Sequence, residues 1–205
     1  MNPTERLFTF LTKPWVMLSY VSLIFLSYFY IDQPLALWIA SLNLKNFLVY
    51  IKAITIFGTY EFYLVALLGL AIFFQYGYRQ QLWANRFWFL WLCVLISNLI
   101  CGILKVLVGR ARPELLFKSH EYGFYGFQHH ASYWSFPSGH TITIMSLVFA
   151  LSILFPVYGW LYIMTGFVIA CSRILLAKHY LSDVLVAMYL ALVNVHVLYI
   201  RFFKK

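Results

Sequence analysis

Acidic side chains are scarce in this chain of 205 residues. Six Asp and Glu stand against fifteen Lys and Arg, and all charged residues together make up 10%. A soluble domain carries about a quarter charged residues, so a water-soluble globular fold is excluded. Cysteine is scarcer still. Cys93, Cys101 and Cys171 all lie within apolar runs and show no Cys-x-x-Cys spacing. They read as small buried side chains, which leaves out a disulfide frame and a thiolate metal site. Internal repeats, linkers and low-complexity segments are also missing, so residues 1–205 form one membrane-embedded domain. The formal net charge of +9 raises nucleic acid as a partner. The cations are scattered among apolar runs rather than gathered on one face, which fits anionic headgroups or phosphorylated lipid and not nucleic acid.

What the chain has is apolar length. It is 63% hydrophobic and 21% aromatic, with a mean hydropathy of +0.81. Many Trp and Tyr residues fall near the ends of apolar runs, as an interfacial belt requires. The expected fold is an all-α polytopic membrane bundle of six spans: Trp15–Ile31, Tyr60–Tyr76, Phe87–Val108, Thr141–Phe155, Trp160–Ala177 and Val184–Ile200. The segment Asp32–Gly58 is apolar but interrupted, and reads as interfacial helices or a short helical pair. Asp32-Gln33-Pro34 reads as a turn leaving the first span. No small-residue cleavage pattern follows the short basic N-terminal segment, so the first run is expected to stay as a span.

Three polar stretches interrupt this chain: Lys105-VLVGRA-Arg112-Pro113, Pro137-Ser138-Gly139-His140, and Ser172-Arg173-ILLAK-His179-YLS-Asp183. Ionisable groups beside apolar runs are costly unless they are paired or bind something. Counting spans puts all three on one membrane face, because spans four and five leave and return through the tight turn at Pro156–Gly159. Each stretch alone has an ordinary explanation. Lys105 and Arg112 read as snorkelling anchors with Pro113 closing the helix, Pro-Ser-Gly-His as a helix cap, and His179 with Asp183 as an interfacial ion pair. Together they supply a phosphate site. Arg173 grips oxygens with a planar fork, the helix start at Ser138 and Gly139 offers N–H groups to an anion, and Asp183 stands where it could orient a nucleophilic His179.

The combined pattern, Lys105-x6-Arg112-Pro113, Pro-Ser-Gly-His and Ser-Arg-x5-His-x3-Asp, resembles the three-part signature of the type 2 phosphatidic acid phosphatase family. Every signature position is filled, and the resemblance covers residues 105–183. The family includes bacterial lipid phosphatases and the soluble vanadium haloperoxidases; the span layout looks like the lipid phosphatase branch. The resemblance implies His179 as the nucleophile forming a phosphohistidine, Asp183 as its orienting partner and His140 as general acid and then base. It further implies that Lys105, Arg112, Arg173, Ser138 and Gly139 hold the phosphoryl oxygens, with no metal and no cofactor. The two histidines imply a bell-shaped pH profile in the mildly acidic to neutral range.

The implied activity is removal of a terminal phosphate from a lipid phosphate monoester or diphosphate, of the undecaprenyl diphosphate or phosphatidylglycerol phosphate type. A lipid A phosphatase or a lipid-to-lipid phosphotransferase is the alternative, and a non-catalytic phospholipid transporter or scaffold the distant one. Oligomeric state is not written in the sequence. For sidedness, Arg6, Lys13, Arg79, Arg86, Arg201, Lys204 and Lys205 fall opposite the motifs. Setting aside the three site cations leaves Lys45, Lys52, Arg110, Lys118 and Lys178 on the motif face. The positive-inside rule then puts both termini in the cytoplasm and the site on the outer face of a bacterial inner membrane. In the loop 114–135, His120, His129 and His130 are read as surface groups, since adjacent histidines seldom converge on one ion. Glu61 and Asn98 read as structural hydrogen-bonding groups, and His196 as interfacial.

Overall fold

The computed structural model describes residues 3–42 and 47–203, which are mostly helical with no strand among them. A lone apolar segment away from water has to close its backbone hydrogen bonds within itself, and helix does this. α1 (Pro3–Leu11) precedes the first long helix. α2 (Pro14–Leu26) opens on a proline, where a missing N–H costs nothing. The expected turn after it is absent. A π turn at Ser27–Ile31 carries the chain straight into α3 (Asp32–Ser41), so Asp32-Gln33-Pro34 is helical. Pro34 falls in the first turn of α3, where a proline is tolerated, and Asp32 is buried among partners described below.

α4 (Leu48–Thr55) passes through a tight turn at Ile56–Gly58 into α5 (Tyr60–Ile72). The segment after the first span thus holds two helices, α3 prolonging the first long helix and α4 leading into the second. Residues 43–46, with Lys45, lie outside the described residues, as do Lys204 and Lys205. α6 (Gln81–Val108) ends at Gly109, whose left-handed φ of 52° favours glycine. A Cβ there would sit 1.9 Å from the Gly126 carbonyl oxygen, so no other residue fits. α7 (Pro113–Ser119) is a short helix opened by Pro113. Pro113 therefore starts α7, and Gly109 is what ends α6. α8 (Gly139–Leu154), α9 (Gly159–Leu175) and α10 (Leu181–Phe203) complete the bundle.

Five segments among the described residues are long and apolar enough to cross a membrane: Pro14–Ser41, Leu48–Gly77, Gln81–Val108, Pro156–Leu175 and Leu181–Phe203. The expected fourth span is different in kind. α8 has 16 residues, all but four of them buried. Its length is about 24 Å, short of the ~30 Å hydrocarbon thickness. It packs on α6, α9 and α10 and is apolar all round, as a helix enclosed by protein should be. Gly166 of α9 permits the approach, since a Cβ there would lie 2.7 Å from Val148 Cγ2.

A polar seam ties the centre together. Ser146 Oγ and Asn194 Nδ2 both donate to Ser97 Oγ at 2.7 Å, and Thr143 Oγ1 donates to Asn98 Oδ1 at 3.0 Å. Such interhelical bonds contribute roughly 0.6 kcal/mol each. They fix the register in which α6, α8 and α10 meet, and so the positions of the helix ends that carry the site.

Candidate active site

The end of α6, the start of α8 and the turn from α9 to α10 meet at one end of the bundle, as the span count requires. Lys105, in the last turn of α6, donates from Nζ to the Trp134 carbonyl at 2.9 Å. Arg112 stands just before α7, its backbone N–H bonded to the Ser132 carbonyl at 2.9 Å. Arg173, in the last turn of α9, donates to Thr55 Oγ1 at 2.8 Å. The Nε atoms of Arg112 and Arg173 are buried with no hydrogen-bond partner among the described residues. Leaving such donors unsatisfied is costly, which suits a pair of forks built to receive anionic oxygens.

These three cations line one cavity of about 540 Å³ together with Gly139, His140 and His179. The same cavity runs on between α5 and α6, past Leu64, Leu95 and Leu99. One chamber thus joins a cationic end to an apolar wall. Gly139 lies against Lys105: an added Cβ would be 3.6 Å from Lys105 Cε. Gly58 presses on His140, where an added Cβ would come within 2.7 Å of His140 Cβ.

Ser138 stands at the start of α8. It is fully buried at the N-cap of α8, its hydroxyl accepting from Thr141 Oγ1 at 2.9 Å, and it is not among the cavity-lining residues. The Thr141 contact ties it to the first turn of α8. The Gly139 position does face the cavity.

His179 is buried, and its Nδ1 lies 2.7 Å from the Ser135 carbonyl oxygen. A carbonyl only accepts, so Nδ1 carries the proton and Nε2 keeps its lone pair. The orienting group expected for this ring was Asp183. Asp183 Oδ2 instead stands 3.9 Å from Nδ1, beyond hydrogen-bond reach. The i, i+4 spacing presumed that a helix already begins at His179, whereas α10 starts at Leu181. Asp183 is turned to other partners: Oδ1 to Arg110 Nη1, and Oδ2 to Ser135 Oγ at 2.6 Å and the Tyr180 N–H at 2.9 Å. It acts on His179 through space at that distance and also through Ser135, which it holds. Burial, followed by Lys105, Arg173 and Arg112, holds the His179 pKa well below the ordinary histidine value. The free site keeps its ring neutral.

Arg110, counted from sequence among the cations of the motif face, is wholly buried. It pairs with Asp32 Oδ2 at 2.7 Å and with Asp183 Oδ1, and the rings of Tyr28, Tyr122, Phe124 and Tyr180 surround its guanidinium at 4.6 to 5.5 Å. Burial alone would lower its pKa, but Asp183 and Asp32 outweigh burial and raise it. Sequence reading missed Asp32, Arg110, Ser135, Thr55 and Gly58. Asp32 carried a signal, being one of only six acids, set beside an apolar run. Arg110 carried a similar one, a charge inside the first polar stretch, while Ser135, Thr55 and Gly58 carried none, since their partners lie dozens of residues away. Of the groups set aside earlier, Asn98 does bond structurally, donating to the Val94 carbonyl at 2.9 Å, while it and Glu61 also line the cavity. His120, His129 and His130 are exposed.

The profile of the PAP2 superfamily matches residues 86–205. Two curated proteins are similar over 100 residues. A lipid A 1-phosphatase of Rhizobium etli is 36% identical over 47% of this chain and 42% of its own length. A lipid A 1-phosphatase of Rhizobium johnstonii is 35% identical over 47% of this chain and 40% of its own. The match thus spans less than half the length of these relatives. No solved structure matches.

Proposed function

Because the chain belongs to the PAP2 superfamily, we propose that it is an integral membrane lipid phosphatase working through a phosphohistidine. The observation that carries this reading is the meeting of Lys105, Arg112, Arg173, His140 and His179 on one cavity with an apolar extension. In this reading His179 Nε2, freed by the Nδ1 bond to Ser135, attacks phosphorus. The bond from phosphorus to the lipid oxygen breaks, and His140 gives that oxygen its proton. His140 then takes a proton from water, which attacks the phosphohistidine and releases inorganic phosphate. A loose phosphoryl transition state asks mainly for positioning and charge stabilisation, and the three cations supply both. Their density also makes turnover in a chelator the expected behaviour.

The apolar wall from Leu64 to Leu99 supports a lipid as the group attached to the phosphate. The names of the relatives make lipid A the first substrate to try, ahead of undecaprenyl diphosphate and phosphatidylglycerol phosphate. As for topology, α8 with its flanking turn would be the sixth crossing, and α3 and α4 would lie near the interface. Both termini would be cytoplasmic and the site on the outer face. The burial of Arg110 supports this, because a neutralised cation no longer counts toward the motif face.

The test is phosphate release by the purified chain from those three lipids with chelator present. Release from at least one is expected, falling by 10³-fold or more in His179→Ala while the phosphorylated lipid still binds. No release from any lipid, or full activity in His179→Ala, sinks the proposal.

A further inference from the structure

We propose that Asp32 is a positioning residue for the phosphoryl-transfer site, acting from outside the matched family region through Arg110, Asp183 and Ser135 on the ring of His179. The inference rests on the reading of His179 as the nucleophile. Its ground is a continuous buried chain of contacts. Asp32 Oδ1 accepts the Ser182 N–H at 3.0 Å and Ser27 Oγ at 3.0 Å, while Oδ2 holds Arg110 Nη2 at 2.7 Å and Ser182 Oγ at 2.5 Å. Arg110 passes the constraint to Asp183 through Nη1 and to Ser135 through its own carbonyl, which accepts the Ser135 N–H at 3.1 Å. Asp183 takes the Ser135 hydroxyl, and the Ser135 carbonyl takes the His179 Nδ1 proton. Asp32, Arg110, Ser135 and Asp183 are all at most 1% exposed, and His179 is 4% exposed.

Three features mark this as an arrangement for position rather than a chance buried pair. Arg110 faces two carboxylates, so removing either one still leaves it paired but frees it to swing. The ring cage of Tyr28, Tyr122, Phe124 and Tyr180 confines that swing. The π turn at Ser27–Ile31 brings Asp32 onto Ser27: the Asp32 N–H bonds the Ser27 carbonyl five residues back, and the carboxylate accepts the hydroxyl of the same residue. Such turns are rare within helices and recur at functional sites. The profile match begins at residue 86, so this contribution from the first long helix lies outside it.

The experiment uses the full-length chain in detergent with three variants and two probes. Orthophosphate reports the cation cradle alone. Orthovanadate, which becomes five-coordinate when a nitrogen donor is aligned with it, also reports the His179 ring. Asp32→Asn is expected to leave the orthophosphate Ki within twofold while weakening orthovanadate about tenfold. On dioctanoyl phosphatidic acid or the best lipid from the panel, kcat is expected to fall 10- to 100-fold with KM within twofold. Asp32→Glu, keeping the charge, is expected to recover at least a third of kcat. Ser182→Ala removes a hydroxyl from Asp32 without unpairing a charge, and is expected to lower kcat three- to tenfold.

Parallel loss of both probes, or a folded Asp32→Asn with kcat within threefold of the parent, overturns the proposal. If Asp32→Asn does not fold, full activity in Ser182→Ala overturns it. A parent chain that hydrolyses nothing defeats the phosphatase reading instead, and the vanadate-to-phosphate contrast in Asp32→Asn then decides positioning by itself.

Discussion

At the level of single residues, the protonation state of His179 has a measurable consequence. Burial and three cations disfavour the imidazolium, so the ring stays neutral, as the proposed nucleophile must be, at pH values where an ordinary histidine is already charged. The acid limb of kcat/KM, which reports the free enzyme, is therefore expected below pH ~6.5, the unperturbed histidine value. Removing one cation relieves the repulsion, lets the pKa rise and moves the limb to higher pH. Arg112→Gln should show that upward move together with a loss of about 10²- to 10³-fold in kcat, the usual cost of deleting one transition-state donor. A pH–rate profile of the two proteins checks both. Most site residues were legible at this scale because the three signature stretches are local in sequence. Ser135 was not, because its partner His179 is 44 residues away and the contact uses a backbone carbonyl that every residue possesses.

Among the elements, the turn at Ile56–Gly58 bears on the chemistry without supplying a reactive group. Its glycine touches the Cβ of His140, where no methyl group fits without displacement. Gly58→Ala should push His140 away from its station. A shift of about 1 Å at a reacting group can cost ~10²-fold, so a 10- to 100-fold loss in kcat with little change in melting temperature is expected. Steady-state kinetics beside a thermal melt separate this from general loosening. The long apolar elements were legible from hydropathy, but the first runs on to Ser41, past its expected end at Ile31, and the second starts at Leu48, ahead of its expected start at Tyr60. What hydropathy did not separate was α8, because a helix wrapped in protein and a helix wrapped in lipid present the same apolar surface. The π turn was likewise hidden. Asp, Gln and Pro in sequence look like a helix exit unless the buried partners of Asp32 are known.

For the whole molecule, the proposed orientation makes a labelling contrast. Phe127 is 69% exposed in the loop beside the site, and Tyr158 is 58% exposed at the opposite end of the bundle. In a Cys171→Ala background, Phe127→Cys should react with a membrane-impermeant maleimide in intact spheroplasts, and Tyr158→Cys only after permeabilisation. The reverse pattern would invert the assignment. That all three signature stretches share one end was legible from counting helices. The coupling of the first long helix to that end was not, since the Asp32–Ser182 contact joins residues 150 apart with no pattern in between.

The cavity groups come from the turn before α5 and α5 itself, α6 and its exit, the start of α8, the end of α9 and the turn before α10. No two neighbouring helices hold more than a fraction of them. A chain whose helices have not yet packed has the cations and histidines but has not brought them together. Phosphate release would therefore switch on only when the bundle closes, and its onset during synthesis could serve as a stopwatch for membrane assembly.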